Sequence, residues 1–166
     1  MKWDERVSSK IQNAFHPEYS FWSHISELGL YLYGLIMIGL LFVVNDTSKV
    51  FFWVSPVIIA TGLSLLLQFL IKRHRPPEDK TMYHLAIKTY SFPSVHAAAS
   101  FSFATVLSYA FCNSSLEHAW AFVIAFYLLA LYIAWSRIVV GVHYFLDVLA
   151  GSLLGVLISV AFFYLS

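Results

Sequence analysis

The residues best suited to chemistry lie in three short clusters at the ends of apolar segments. They are Arg75-Pro76, Pro93-Ser94-Val95-His96, and a third cluster in which Ser136-Arg137 precedes His143 and Asp147. The two arginines supply planar forks of donors that match the oxygens of a phosphate group. The serine hydroxyl of the second cluster and the backbone amides of a helix start add further donors for an anion. The clusters together predict a phosphate-binding site.

Two imidazoles add reactive groups to this cationic site. His143 and Asp147 are four residues apart, which places them on one face of a helix, so the carboxylate is predicted to hold one imidazole nitrogen. The other nitrogen of His143 is then available as a nucleophile or a base. His96 is a second imidazole, able to protonate a leaving oxygen. This set predicts a phosphoryl-transfer site that needs no metal.

Each cluster alone has a simpler interpretation. A single histidine near a span end is often a packing residue, and Arg75 and Arg137 alone would be headgroup anchors or topology signals. Ser136-Arg137 also fits an ordinary loop. His143 and Asp147 fit a proton relay in a transporter as well. However, Asp147 is predicted in the first turn of its span, whereas carriers usually bind near the bilayer midplane.

The elements that must position these clusters are membrane helices. Of 166 residues, 60% are hydrophobic and 11% are charged, and the mean hydropathy is +0.73, which excludes an ordinary water-soluble globule. About 100 apolar residues suffice for about five spans of ~20 residues. The net charge of +1 argues against nucleic acid as a partner, and the lone Cys112 excludes an intramolecular disulfide. The predicted fold is an all-α integral membrane helix bundle.

The chain is predicted to form one domain, 1–166, with a surface helix followed by five spans. Charged residues leave no signal-peptide core in residues 1–20, whose apolar residues recur at helical spacing, as in an amphipathic helix in the headgroup plane. The predicted spans are 21–44, 50–71, 92–112, 119–135 and 144–165. Gly151 and Gly155 mark a small-residue packing face in the last span.

Positive charge is gathered on the side of the membrane that carries the three clusters. If the spans alternate, nine of the ten Lys and Arg residues lie on that side and only Lys49 on the other. The distribution of Lys and Arg therefore places the candidate site in the cytoplasm.

The three clusters together resemble the signature of the type 2 phosphatidic acid phosphatase superfamily, whose pattern is Lys-x6-Arg-Pro, Pro-Ser-Gly-His and Ser-Arg-x5-His-x3-Asp. The third part matches completely. The second matches except that Val95 replaces the glycine, and the first matches except that Gln68 stands where the family has lysine. The matching residues are Arg75, Pro76, Pro93, Ser94, His96, Ser136, Arg137, His143 and Asp147.

The resemblance implies a role for each matching side chain. His143 would attack the phosphate to form a phosphohistidine, Asp147 would orient it, and His96 would protonate the leaving alkoxide. The phosphoryl oxygens would be held by Arg75, Arg137 and Ser94. The family is metal-independent, so neither a metal nor another cofactor is expected, and it usually has six spans rather than five.

The resemblance also implies a partner and a place. The expected substrate is a membrane lipid carrying a terminal phosphate, such as a polyprenyl diphosphate, phosphatidylglycerol phosphate, phosphatidic acid or a lipid A phosphate. A lipid phosphotransferase and a small anion or proton transporter are the alternatives. The family further implies a multi-pass protein of a prokaryotic inner membrane with its site facing the periplasm or exterior, opposite to the orientation that the charges favour. The sequence carries no signal for an oligomeric state.

The two departures from the family pattern predict specific compensation. Val95 keeps its backbone amide, so a hydrogen bond from that amide to phosphate is expected to survive. Gln68, Lys72 and Arg75 share one helical face if the second span continues to Pro76, so Lys72 is predicted to replace the missing cation. A headgroup anchor is the alternative for Lys72. Arg73 is predicted to point away from that face.

Overall fold

The computed structural model describes residues 2–15, 19–43, 47–77, 89–114 and 117–166, and every regular element in these ranges is an α-helix. The predicted all-α membrane bundle is therefore confirmed. The six helices are α1 (Lys2–Phe15), α2 (Tyr19–Val43), α3 (Thr47–Ile71), α4 (Val95–Cys112), α5 (Ala119–Val139) and α6 (Phe145–Leu165).

Four of the helices are long and apolar enough to cross a bilayer. They are α3, α4, α5 and α6, while the apolar stretch of α2 is shorter and runs from Leu28 to Gly39. Pro56 lies inside α3 without ending it, because neighbouring groups in a bundle can satisfy the freed backbone acceptor. Helix α5 continues to Val139, four residues beyond the predicted end of the fourth span at residue 135.

Helix α4 lies at the centre of the bundle and packs against α3, α5 and α6. Its side chains on the α6 side are small, and Ala97 and Ala98 are fully buried. Gly151 and Gly155 of α6 face this surface, where an added Cβ would overlap the carbonyl oxygens of Ser94 and Ala98. The small residues therefore let the two backbones approach closely, which brings the start of α4 beside the start of α6.

Helix α1 is amphipathic and packs against α5 and α6. Ile11 and Phe15 contact the apolar side chains of these helices. The same face also carries the buried polar residues Asp4 and Ser8, whereas Trp3 is exposed. The helix predicted for the N-terminal segment is present, but two of its buried residues are polar. Its position in the headgroup plane stays a prediction.

Candidate active site

The turn after α5 brings the third cluster together. Ser136 and Arg137 lie in the last turn of α5, so they belong to the helix and not to a loop between the predicted spans 119–135 and 144–165. Gly141 follows with φ of 77°, a left-handed conformation that glycine adopts without steric cost. The chain then folds back, and the backbone N–H groups of Val142 and His143 both donate to the carbonyl oxygen of Arg137 at 3.2 Å. His143 is thereby fixed to the end of the helix that carries buried Arg137.

The imidazole of His143 is buried and its tautomer follows from its neighbours. Nδ1 lies 2.8 Å from the carbonyl oxygen of Ser91, which can only accept, so Nδ1 carries the proton. Nε2 lies 3.3 Å from Nη1 of Arg75, which can only donate, so Nε2 presents its lone pair. Burial lowers the pKa of His143 well below its usual value, and the charges of Arg75 and Arg137 lower it further. A neutral imidazole with an unprotonated Nε2 is the nucleophilic form.

Asp147 does not hold the imidazole in the way that the sequence predicts. Its Oδ2 is 3.7 Å from Nδ1 of His143, beyond hydrogen-bond distance. Instead Oδ2 accepts from the backbone N–H of Tyr144 at 2.8 Å, and Oδ1 accepts from Arg73 at 2.5 Å. The carboxylate is fully buried. Its charge still lies next to the ring, where it favours positive charge on the imidazole.

The guanidinium of Arg75 is anchored on one edge and faces the imidazole with another. Nε and Nη2 donate to the carbonyl and hydroxyl oxygens of Thr89 at 2.8 Å, and Nη1 donates to the carbonyl oxygen of Val142 at 3.0 Å. Burial lowers the pKa of Arg75, and the negative charge of Asp147 opposes this effect. The group stays a cation, because arginine does not deprotonate in proteins.

The start of α4 supplies the remaining members of the site. Ser94 is the N-cap, and its backbone N–H donates to the carbonyl oxygen of Asp147 at 2.9 Å, which ties α4 to α6. Its buried Oγ accepts weakly from Ala97 at 3.5 Å. Val95 and His96 are the first two residues of the helix, so their N–H groups have no acceptor within it. His96 lies in electrostatic range of Arg75, Arg137 and His143. The structure thus brings all three clusters to one place.

Two of the predicted phosphate ligands are placed differently. The buried amide of Gln68 donates from Nε2 to the carbonyl oxygen of Pro93 at 2.9 Å, so this donor is used inside the protein. Helix α3 ends at Ile71, and Lys72 has φ of 53° with its N–H bonded to the carbonyl oxygen of Gln68 at 3.0 Å. The prediction that the helix continues to Pro76 was therefore wrong. Lys72 is exposed.

Arg73 is the cation that the sequence interpretation missed. It was predicted to point away from the helical face of Lys72 and Arg75, but it donates to Asp147 and, at 2.6 Å, to Asp4 of α1. Against the lowering effect of its burial, these two carboxylates raise the pKa of Arg73. Pro76 carried part of the signal, since the residue directly before a proline, here Arg75, favours extended backbone and helices usually end there or earlier. In an extended segment Arg73 and Arg75 lie on the same side, because side chains repeat every two residues.

Ser91 is a second residue that the motifs did not indicate. Its N–H donates to the carbonyl oxygen of Arg73 at 2.9 Å, and its hydroxyl lies 3.2 Å from the same oxygen. The carbonyl oxygen of Ser91 accepts the hydrogen bond from Nδ1–H of His143. Ser91 therefore joins the segment that carries Arg73 and Arg75 to the reactive imidazole, through backbone groups that no sequence motif records.

The completed geometry has a clear chemical character. An oriented neutral imidazole faces a fixed guanidinium, a second buried arginine and a helix start, with another imidazole nearby. Oxyanions fit such donors, and an imidazole nitrogen can attack phosphorus. Fold and site together define an integral membrane protein built for phosphate chemistry at one end of its helix bundle.

Comparison with known proteins agrees with this description. The family model of the PAP2 superfamily matches residues 29–166. The chain is 25% identical in sequence to Aquifex aeolicus LpxE. The crystal structure of that protein aligns over 96% of this chain and 93% of that chain, with a TM-score of 0.75. The first transmembrane PAP2 type phosphatidylglycerolphosphate phosphatase from Bacillus subtilis is 24% identical over 99% of this chain and 84% of that chain, with a TM-score of 0.85. No curated protein matches significantly in sequence.

The chain belongs to the PAP2 superfamily, and the family predicted from its three motifs is confirmed. It is a multi-pass membrane protein and an enzyme, a phosphatase of the class that acts on lipid phosphates. Membership of a family of phosphatases argues against the transporter alternative.

Proposed function

We propose that this enzyme removes the terminal phosphate of a membrane lipid through a covalent phosphohistidine at His143, without a metal. The single observation that carries the proposal is the state of the imidazole. Nδ1–H is held by Ser91 and the Nε2 lone pair faces Arg75. An imidazole fixed in this way needs no further proton removal before it attacks.

The first half-reaction forms the bond between Nε2 of His143 and phosphorus. The bond from phosphorus to the lipid oxygen breaks, and His96, whose protonated form the negative charge of the bound phosphate favours, gives its proton to the departing oxygen. The guanidinium groups of Arg75 and Arg137 neutralise the phosphoryl oxygens, together with the amides at the start of α4. The phosphorylated imidazole keeps its Nδ1 proton, and Asp147 at 3.7 Å stabilises its positive charge.

The second half-reaction returns the enzyme to its starting state. His96, now neutral, takes a proton from water as the water oxygen attacks phosphorus. The nitrogen–phosphorus bond breaks, inorganic phosphate leaves and His143 is again neutral. His96 is then protonated and ready for the next lipid.

The test is a phosphate-release screen with purified enzyme in detergent over polyprenyl diphosphate, phosphatidylglycerol phosphate, phosphatidic acid and lipid A phosphate. We expect release from at least one of them in excess chelator, and we expect vanadate to inhibit. Radiolabelled phosphate should be trapped on the protein under alkaline conditions, where a phosphoramidate bond survives. Loss of activity in chelator with rescue by magnesium would overturn the metal-free route. Transfer of the label to an added acceptor lipid instead of water would identify a phosphotransferase.

We also propose that the site opens to the periplasm or the exterior of a prokaryotic cell, as the family resemblance implies. The lone Cys112 allows a direct test. It is exposed and ends α4, the helix whose first residues carry Val95 and His96 at the other end. A membrane-impermeant maleimide applied to intact cells should therefore leave Cys112 unlabelled and label it after lysis. Labelling in intact cells would reverse the orientation.

A further inference from the structure

Arg73 bridges two buried carboxylates from opposite ends of the chain. Nη2 lies 2.6 Å from Oδ2 of Asp4 in α1, and Nη1 lies 2.5 Å from Oδ1 of Asp147 in α6. The two carboxylates are 1% and 0% exposed. The guanidinium carbon also sits 4.3 Å from the ring centroid of Tyr144. The planar guanidinium of arginine can hold two acceptors in fixed directions, whereas the ammonium group of lysine is a compact charge without such a geometry.

Asp4 and Ser8 also cap α6 from outside. Oδ1 of Asp4 accepts from the backbone N–H of Leu146 at 3.0 Å, and Oγ of Ser8 accepts from that of Phe145 at 2.9 Å. The hydroxyl of Ser8 in turn donates to the carbonyl oxygen of Asp4 at 2.8 Å. A negative side chain is favourable at this end of a helix. Helix α1 is therefore fixed to the helix that carries Asp147 by two caps and by the Arg73 bridge, which consists of two ion pairs.

The bridge matters to the site because Arg73 pairs directly with the charge of Asp147. The side chain of Ser91 also interacts with this carboxylate but carries no charge. One of the carboxylate oxygens is used by Tyr144 and the other by Arg73. A buried carboxylate that loses such a partner must find another cation or bring in water. Arg75, which interacts electrostatically with Asp147, is a neighbouring cation, and Arg137 acts with it on His143; both belong to the proposed phosphate cradle. A freed Asp147 would therefore compete with the substrate for them and move away from His143.

We propose that Asp4 and Arg73 are positioning residues of the reaction, which hold the charge of Asp147 beside the imidazole of His143, so that helix α1 is part of the catalytic apparatus. The inference rests on the proposed roles of His143 and Asp147. It assigns a catalytic purpose to a segment outside the three motifs and outside residues 29–166, the range that the family model covers.

The central test compares Arg73→Gln, Arg73→Lys and Asp4→Asn with wild type. Asp4→Asn keeps an acceptor for Leu146 but removes the charge. We expect kcat to fall ~10–100-fold in Arg73→Gln, as for partners that orient a reactive ligand from behind, with a much smaller change in KM. Arg73→Lys and Asp4→Asn should be intermediate. Arg6→Gln and His74→Gln, at exposed neighbouring positions, are the matched controls and should keep wild-type kcat.

A double-mutant cycle separates positioning from a purely structural staple. In an Asp147→Asn background, Arg73→Gln should reduce kcat much less than it does in wild type, because both changes break the same chain of contacts. Multiplicative losses would overturn the proposal, as would a fall in melting temperature that accounts for the lost activity. Elution volume and melting temperature in detergent are measured for every variant.

Vanadate binding makes the result independent of the lipid. Vanadate can take the place of the phosphoryl group at His143, so its dissociation constant reports the geometry of the site even if no tested lipid is a substrate. Failure of the lipid screen would then count only against the proposed substrates. Arg73→Gln should weaken vanadate binding about as much as it lowers kcat, with the two controls unchanged. Equal affinity in Arg73→Gln and wild type would overturn the positioning role.

Discussion

The starts of α4 and α6 lie side by side but are completed in opposite ways. At α6, Asp4 and Ser8 of helix α1 accept the N–H groups of Leu146 and Phe145, so a negative side chain of the protein occupies this helix end. At α4, Ser94 caps the helix weakly, and two arginines stand near instead of a carboxylate. Both ends carry partial positive charge.

The difference shows how one fold assigns different tasks to equivalent helix ends. The end filled by Asp4 is neutralised within the protein and supports position. The end at Val95 keeps its positive potential for an external anion. His143 lies just before the start of α6, which Asp4 and Ser8 cap, and His96 lies in the first turn of α4, which has no such carboxylate among the described residues. Each helix start therefore contributes one imidazole in a different electrostatic environment.

The largest expected effects come from replacing the two histidines, and the two alanine variants should lose activity in different ways. We expect His143→Ala to lower kcat by about 10,000-fold or more and to leave no trapped phosphoenzyme, because the nucleophile is gone. His96→Ala should be least harmful with an aryl phosphate or a diphosphate, whose leaving groups need little protonation. Rates for both variants on an alkyl and an aryl phosphate test this. Retained activity in His143→Ala beside an inert His96→Ala would reverse the two roles.

The two helix ends can be compared by changing one group at each. Val95→Pro removes a single N–H, and proline is well tolerated at this first helical position, where Ser94 is already extended with ψ of 116°. If that amide binds the phosphoryl group, kcat should fall ~100-fold, a typical loss for one oriented donor. Val95→Ala, which keeps the amide, is the control. Equal rates in the two variants would exclude the amide from the cradle.

The counterpart at α6 is Ser8→Ala, which leaves the N–H of Phe145 without its acceptor. Since this helix end does not face substrate, the cost should appear as about 1–3 kcal/mol of stability rather than as lost chemistry. Thermal unfolding and kcat measured on the same preparation decide this. A large loss of kcat with an unchanged melting temperature would show that the capped end also takes part in catalysis.

Close contact between the two helix starts depends on Gly151. An alanine there would overlap the carbonyl oxygen of Ser94, so Gly151→Ala should cost about 1–3 kcal/mol and lower activity by moving the start of α4. Gly62 of α3 has open space around it. Gly62→Ala should be neutral or slightly stabilising, since alanine favours a helix by ~1 kcal/mol. Similar melting temperatures for the two variants would contradict the close-contact argument.

His143, at the junction of the two ends, should give a distinctive pH dependence. Its pKa lies well below 6.5 in the folded enzyme, through burial and the nearby arginines, and near ~6.5 when unfolded. The contribution of His143 to the stability of the fold is therefore fully present above pH ~6.5. It is lost as the pH falls below that value, because the unfolded state then binds a proton that the folded state does not. Melting temperature should fall on acidification, and less so in His143→Ala.

The same shift affects activity. The acid limb of kcat/KM that belongs to the enzyme should lie below 6.5, because the nucleophile stays neutral there. The ionisation of the substrate phosphate, titrated separately by phosphorus NMR, is subtracted from the profile. An enzyme limb at or above 6.5 would show that the imidazole is not held in the neutral form.

The smallest effect is expected at a third helix end, that of α3. Lys72 is exposed and adopts φ of 53°, so Lys72→Ala should leave kcat unchanged. Lys72→Gly should stabilise the protein slightly by removing the strain of a left-handed residue, which is about 1 kcal/mol. A substantial loss of kcat in Lys72→Ala, well beyond that in the exposed His74→Gln, would restore Lys72 as the replacement for the cation absent at Gln68.

The sequence by itself determined the class of fold and the chemistry. Apolar runs long enough for a bilayer leave no alternative to buried helices, because unpaired backbone groups are too costly in lipid. The few ionisable residues at the ends of those runs, such as His143 and Arg75, were identifiable because such residues are energetically unfavourable near the membrane and usually have a function there. Their spacing matched a family pattern, and the confirmed family followed.

Only the tertiary structure decided which residues form hydrogen bonds and ion pairs with one another in the site. Helical periodicity relates residues three or four apart, so it paired Asp147 with His143 and Lys72 with Arg75. The folded chain instead uses partners far away in sequence: Ser91 for the imidazole, Arg73 for Asp147 and Asp4 of α1 for Arg73. Two of these contacts follow from the end of α3 at Ile71, after which the chain turns at Lys72 with φ of 53° and Arg73 lies against Asp147 and Asp4. A local pattern does not contain such contacts, because they depend on how separate helices pack.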